Sequence, residues 1–244
     1  MFSAEPIDIQ SLRARLPVEA PIERPLSSGV RALDAVIGAD GLGAGQTVEW
    51  VGAPSSGKTG LLRAVVAGAR RQGIAVALID ARRELLAADW VDDAAGRLWV
   101  MRPPSPDEAL FCAEVVLRTR CFGLVIVDGA PPAPRAVGIR LQRLARHATA
   151  TLVLVRAPDE DAGGARVHRR FVFGGEIEPV ADPIARRGPL AWRIHAARTR
   201  GGGPEDGRAL HLVETPQDRL ATRPHGPDRP GDRTAAGARY GRSS

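Results

Sequence analysis

The chain has 244 residues, of which 44% are hydrophobic and only 4% are aromatic, so it is long enough to bury an aliphatic core. Two cysteines are too few for a disulfide scaffold, and we expect both, Cys112 and Cys121, to be reduced structural residues. No apolar run is long enough for a membrane span, and MFSAEPIDIQ lacks a signal core, so we expect a cytoplasmic protein. The net charge of +6 permits contact with nucleic acid without establishing it.

The N-terminal region carries helix and linker signals. Residues 7–15, IDIQSLRAR, can form a short amphipathic helix, and three prolines in residues 17–25 favour an extended linker after it. A capping serine, Ser27 or Ser28, then precedes a predicted helix over residues 29–38. A free helix as short as residues 7–15 is marginal in water, so we expect it to pack on another protein chain, as in self-association.

From residue 47 onward, apolar strands alternate with amphipathic helices. The predicted strands are residues 47–51, 74–80, 98–102, 123–128 and 151–155, and the predicted helices are 59–71, 105–120 and 136–148. The second of these helices has Ser105 as its cap and Pro106 at its first position. The alternation predicts an α/β fold with a mainly parallel sheet flanked by helices.

The pattern changes after Pro158. Three apolar segments, RRFVF, LAWRIHA and RALHLVE, alternate with glycine-rich turns and predict antiparallel C-terminal strands. Residues 215–244 are rich in Pro, Arg, Asp and Gly, so we expect a disordered basic tail. The predicted organisation is therefore a helix and linker over residues 1–25, a core over residues 26–214, and the tail.

The only lysine of the chain lies in a phosphate-binding motif. Of the 34 basic residues, Lys58 alone is a lysine, and it stands in GAPSSGKT, which fits G-x-x-x-x-G-K-[ST] between an apolar strand and a helix. Such a loop directs backbone N–H groups at phosphate oxygens, its lysine bridges the β- and γ-phosphates, and its last hydroxyl binds Mg²⁺. The predicted nucleotide-binding residues are Gly52, Ala53, Pro54, Ser55, Ser56, Gly57, Lys58 and Thr59.

A carboxylate for the metal is expected at the end of another strand. Asp128 ends the apolar segment GLVIVD, about 70 residues after the lysine. An aspartate at the end of a buried parallel strand can reach Mg²⁺ next to a phosphate-binding loop, although it can also simply cap the strand. We therefore predict ATP and Mg²⁺ as cofactors, with Thr59 and Asp128 as the metal-binding residues.

Residues 26–62, from LSSGVRALD to SSGKTGLL, resemble the opening of the RecA recombinase core, with its LD helix, GL-x-x-G turn, strand and P-loop. The strands that end at Asp80 and Asp128 resemble the second strand and the Walker B strand of that family. The resemblance implies a RecA-like P-loop NTPase core. It also puts Arg82 where the family has its catalytic glutamate, so ATP binding is expected while hydrolysis is doubtful, because a cation cannot act as a general base.

Within this family, the loss of the catalytic glutamate makes the chain similar to the short ImuA proteins, which are also labelled SulA-like or RecA-like. Its segment from GPLAWRIHA to RALHLVE resembles their last two strands. The resemblance implies an accessory role in damage-induced (SOS) translesion synthesis and mutagenesis. The implied partners are an ImuB-like inactive relative of Y-family polymerases, an error-prone replicative-type polymerase, RecA, and DNA directly or through these proteins. The alternatives are a DNA-stimulated RecA-like ATPase or recombination mediator, and a SulA-like division inhibitor.

Several other residues have two interpretations. Trp90 can stack on adenine or pack in the core. Arg198 and Arg200 can contact nucleic acid or flank a hairpin turn. The arginines of the third predicted helix can form a solvated face or an interface; they are Arg135, Arg140, Arg143 and Arg146.

Overall fold

The computed structural model describes residues 26–27, 34, 42–54, 56–86, 90, 98–158, 167–173, 178–179, 190–199 and 209–213. The predicted helix over residues 7–15, most of the predicted helix 29–38 and the predicted tail lie outside these residues. Within the described ranges, one nine-stranded sheet carries three α-helices. No helix there is long and apolar enough to cross a membrane.

The strands and helices predicted between residues 47 and 158 are all present, with ends that differ by a few residues. The strands are β1 (Thr47–Gly52), β2 (Val76–Asp80), β3 (Leu98–Met101), β4 (Leu124–Asp128), β5 (Thr151–Arg156), β6 (Arg169–Phe173), β7 (Glu178–Pro179), β8 (Leu190–Thr199) and β9 (Ala209–Val213). The helices are α1 (Lys58–Arg71), α2 (Ala109–Thr119) and α3 (Arg135–Ala148), and a 3₁₀ turn over Pro106–Glu108 precedes α2.

The start of α2 differs from the prediction that Ser105 caps it. The Ser105 hydroxyl donates to Glu108 Oε1 at 3.4 Å and makes no capping hydrogen bond to the backbone. The first turn closes instead through Glu108 N, which donates to Ser105 O at 3.2 Å, the i→i+3 bond of a 3₁₀ turn. The α-helix proper therefore begins at Ala109.

The sheet is mainly parallel, in the strand order β3-β2-β4-β5-β1-β6-β8-β7, with β9 also pairing with β8. The predicted antiparallel C-terminal strands are present, because β6 pairs antiparallel with β8 and β8 with β9, but β6 also pairs with β1 in the parallel direction, which the pattern did not indicate. His168 explains this direction: its N–H donates to Thr47 O and its Nδ1 accepts from Thr47 N, at 2.8 and 2.9 Å. These bonds hold the starts of β1 and β6 side by side, and antiparallel pairing begins only between β6 and β8.

Each face of the sheet covers a separate apolar core. One core joins α1 to Trp50, Ile126 and Phe171, and it also contains Trp90, which is 6% exposed. The other core packs α2 and α3 against residues such as Val125, and burial there raises the pKa of the Cys112 thiol. Cys112 and Cys121 are free thiols, as predicted. The two cores cover the faces of the sheet, so the candidate site lies at the ends of the strands.

A buried ion cluster crosses the centre of the sheet. Glu49 on β1 and Arg156 on β5 have fully buried side chains, and Arg156 Nε lies 3.0 Å from Glu49 Oε1. Arg170 on β6, whose side chain is 32% exposed, donates from Nε to Glu49 Oε2 at 2.5 Å. Arg156 also donates from Nη1 to Pro131 O at 2.6 Å. One carboxylate on β1 therefore pairs with two guanidinium groups, one on β5 and one on β6.

Replacing this carboxylate should destabilise the fold strongly. Glu49→Leu leaves the Arg156 charge buried without its carboxylate, and we expect a loss of about 3–5 kcal/mol in the free energy of unfolding. The double variant Glu49→Leu/Arg156→Met should lose less than the single variant, because it removes the buried cation as well. Urea unfolding followed by circular dichroism measures both losses.

The matched control is Glu108→Gln, which removes an exposed carboxylate from the 3₁₀ turn. It should change stability by no more than about 0.5 kcal/mol. A double variant less stable than Glu49→Leu would contradict the assigned role of the cluster.

Candidate nucleotide-binding site

The P-loop connects the end of β1 to the start of α1, as the motif predicts. Gly57 has a φ of 80°, in the left-handed region that a residue with a Cβ rarely adopts, and α1 begins at the next residue, Lys58. Ser56 N donates to Ala53 O at 3.2 Å and closes the loop. The first backbone N–H groups of α1 therefore open toward the end of the sheet.

Gly52 is required by close packing. A Cβ at this position would lie 2.7 Å from Ser56 Oγ and 2.9 Å from Phe173 Cβ. Ser56 Oγ is buried, and no hydrogen-bond partner for it exists among the described residues. A hydroxyl without a partner inside the loop fits a cradle that is completed by a ligand.

Lys58 folds back over the loop that carries it. Its ammonium donates to Gly52 O at 2.8 Å and to Ala53 O at 3.2 Å. This arrangement holds a cation at the inner end of the loop, where it can exchange carbonyl oxygens for phosphate oxygens. A compact ammonium with three donors suits this place better than a planar guanidinium.

A pocket of about 480 Å³ lies against the loop. Five of the eight predicted nucleotide-binding residues line it, namely Pro54, Ser56, Gly57, Lys58 and Thr59. Gly52 and Ala53 contribute the carbonyl groups that hold the lysine, and Ser55 lies outside the described residues. The other residues that line the pocket are Asp80, Arg82, Glu84, Asp128, Gly129, Val155, Arg156 and Ala157.

Asp128 faces this pocket from the end of β4. Burial raises the pKa of its carboxyl group above the ordinary value, and the neighbouring carboxylates Asp80 and Glu84 raise it further, while the Lys58 ammonium acts in the opposite direction. The site therefore favours a cation near Asp128. Thr59 and Asp128 line one pocket, and hydroxyl and carboxylate oxygens together with phosphate oxygens are the ligand set that Mg²⁺ takes beside a P-loop, so these residues fit the metal.

Asp80 has a structural role that the sequence did not indicate. It is the register partner of Asp128, but its side chain is only 2% exposed. Its carboxylate accepts from Glu84 N at 3.0 Å, Leu85 N at 3.3 Å and Arg102 Nε at 3.0 Å. Asp80 therefore organises the turn after β2 and leaves Asp128 as the carboxylate that faces the P-loop.

The buried ion cluster also reaches the pocket, because Arg156 lines it. Arg156 directly follows the predicted strand 151–155, and no role was predicted for it. The available signal was one charged residue within each of two apolar strands, Glu49 in TVEWV and Arg156 after TLVLV. A lone charge in a buried strand needs a partner, so this pattern favours an ion pair between them.

The remaining predicted residues lie elsewhere. Trp90 packs in the α1 core, where its carbonyl accepts from Arg70 Nη1 at 3.4 Å, and it does not line the pocket. Arg140 on α3 donates from Nε to the buried carboxylate of Glu114 at 2.6 Å. It is thus part of an internal ion pair between α2 and α3. Arg200 lies outside the described residues.

The comparisons with known proteins agree with this geometry. RecA proteins are 37% identical to the chain over 123 residues in Nocardioides sp., and 38% identical over 114 residues in Anaplasma marginale. These matches cover 49% and 46% of the chain but only 35% and 32% of the RecA proteins, so the chain spans about a third of their length. The crystal structure of the RadB recombinase shares the fold, with a TM-score of 0.59 and 18% identity over 78% of this chain and 96% of that one.

The family model of the RecA N-terminal domain matches residues 15–137, which are 123 of the 244 residues. This region contains the P-loop, the turn after β2 and the strand that ends at Asp128. The chain therefore belongs to the family of the RecA N-terminal domain.

Proposed function

We propose that this chain binds Mg²⁺ and ATP as a conformational or assembly switch and turns the nucleotide over slowly or not at all. One observation carries the proposal: a P-loop pocket lined by Lys58 and Asp128 has Arg82 at the position that the RecA resemblance gives to a catalytic glutamate. A guanidinium stays protonated at any physiological pH, so it cannot accept a proton from water.

The roles of the residues follow from their places around the pocket. The loop N–H groups and Lys58 hold phosphate oxygens, while Thr59 and Asp128 hold the metal. Bound Mg²⁺ would neutralise part of the phosphate charge. Because Asp128 lies near other carboxylates, a bound cation relieves a repulsion that exists without it.

The biological role that we propose is that of an ImuA-like accessory protein in damage-induced translesion synthesis. The support is the resemblance of the C-terminal segment, in which β8 and β9 pair antiparallel, together with the replaced glutamate and the short RecA match. The proposed partners are an ImuB-like inactive polymerase relative, an error-prone replicative-type polymerase and RecA. In this role the chain contacts DNA directly or through these partner proteins.

One observation favours a second candidate, a DNA-stimulated ATPase or recombination mediator. Glu84 also lines the pocket, two residues after Arg82. Its carboxylate is a possible base for an attacking water if the turn changes shape. DNA-stimulated turnover is the property that separates this candidate from the switch.

Lys58→Ala should weaken ATP binding by about a hundredfold or more, because it removes a charge-assisted contact to phosphate. Lys58→Arg should also bind ATP weakly, since the planar guanidinium does not fit the space between the Gly52 and Ala53 carbonyl groups. Isothermal titration calorimetry measures both dissociation constants. The control is Arg63→Gln, an exposed residue of α1, which should bind like the wild type. Equal affinity of the wild type and Lys58→Ala would refute the assignment of the site.

Asp128→Asn should stabilise the protein without nucleotide but reduce its stabilisation by Mg²⁺ and ATP. Because the folded pKa of Asp128 is raised, its ionisation opposes folding; this effect is absent below the ordinary carboxyl pKa and grows as pH rises toward the folded pKa. We expect Tm at pH 7 to increase by about 2–4 °C, with the gain disappearing in acid. Scanning calorimetry at several pH values tests this, and a lower Tm at pH 7 would contradict it.

Damage-induced mutagenesis tests the biological role. Cells that carry Lys58→Ala should lose damage-induced mutations to the level of a deletion strain, whereas Arg63→Gln cells should retain them. Normal mutagenesis in Lys58→Ala cells would exclude the nucleotide switch in this process. Strong ATP turnover by purified protein with single-stranded DNA would support the mediator instead, and a division defect with normal mutagenesis would support the division inhibitor.

A further inference from the structure

The turn after β2 has a defined shape because it is built around Asp80. Two backbone N–H groups of the turn, from Glu84 and Leu85, donate to the Asp80 carboxylate. Arg102 donates to the same carboxylate from Nε and to Leu85 O from Nη2, at 3.0 and 2.8 Å. The buried Asp80 carboxylate and the Arg102 side chain therefore fix the shape of this turn.

This turn directs two adjacent arginines to different places. Arg83 has a φ of 59°, and its Nη2 donates to Pro103 O at 3.2 Å, away from the pocket. Arg82 lines the pocket together with the P-loop. Of these two arginines, only Arg82 lines the pocket.

The glycine after Asp128 makes room for the Arg82 side chain. A Cβ on Gly129 would lie 2.9 Å from Arg82 Cγ, 3.1 Å from Cδ and 3.2 Å from Nε. Gly129 also has a φ of 74°, where a side chain is strained. The aliphatic part of Arg82 therefore lies directly over the backbone that follows Asp128, and its guanidinium group begins there, beside the predicted metal site.

The pocket thus has a cation on each of two walls. Lys58 is on the P-loop and Arg82 is on the turn after β2, while the third cation, Arg156, is held by Glu49 and Pro131 O. A guanidinium presents a planar fork of donors that matches the oxygens of a phosphate group. The outermost phosphate of a nucleoside triphosphate is the group that a diphosphate lacks.

We propose that Arg82 binds the terminal phosphate and makes the pocket selective for a nucleoside triphosphate over a diphosphate. The inference rests on the proposed nucleotide site and specifies which state of the nucleotide that site detects. In this role Arg82 is a specificity-determining residue: it contacts the last phosphate of a triphosphate and takes no proton from water. The proposed switch then responds to the ratio of triphosphate to diphosphate.

The test compares dissociation constants for ADP and for the non-hydrolysable β,γ-imido analogue of ATP, both with excess Mg²⁺. Arg82→Gln should weaken binding of the triphosphate analogue by about tenfold to a hundredfold, because it removes a charge-assisted contact. Its affinity for ADP should stay within about twofold of the wild type. Arg82→Lys should retain part of the preference, since it keeps the charge but loses the fork.

The matched control is Arg83→Gln, which removes the same charge from the neighbouring position and should leave both affinities unchanged. Equal losses of affinity for the two nucleotides in Arg82→Gln, or no loss for either, would overturn the inference. ADP binding that depends on Lys58 would still support the nucleotide site in that case. If the wild type binds neither nucleotide, the proposed site itself is wrong and the inference falls with it.

Discussion

The parallel pairing of β1, β2, β4 and β5 is the constraint on which the site depends. In a parallel sheet the carboxyl ends of the strands meet at one edge, whatever their separation in sequence. Here the register pairs Asp80 with Asp128, and Val51 with Arg156. The P-loop, the Asp128 carboxylate and the turn that carries Arg82 are therefore brought together by the backbone ladder.

The same edge collects charges that must be compensated before a ligand arrives. Asp80 accepts from two backbone N–H groups and from Arg102, while Arg156 lies beside the Glu49 carboxylate and donates to a carbonyl group. The first set of contacts fixes the turn after β2, and the second joins β1 and β5 to the loop after β4. Asp128 lies among these groups, and burial is the main cause of its raised pKa, which the carboxylates of Asp80 and Glu84 raise further. A cation near this carboxylate is therefore favoured.

Much of the structure between residues 47 and 158 was predictable, because strand and helix patterns and the P-loop are local signals. Lys58 and Asp128 belong to this class. The direction of β6 was not predictable, since it depends on hydrogen bonds between His168 and Thr47, which are 121 residues apart. The same holds for the ion pair between Glu49 and Arg170, with the same separation. The need for Gly129 is visible only when the path of the Arg82 side chain is known.

The two hydrogen bonds of Lys58 to its own loop have a consequence for the thermodynamics of binding. Since Gly52 O and Ala53 O accept from the ammonium, the Lys58 side chain has a fixed position over its own loop. In the proposed site, a phosphate group would exchange these acceptors for its own oxygens and would not have to order a freely rotating lysine. The side-chain entropy of Lys58 would then be lost during folding and not during binding, which is the general advantage of a preorganised site.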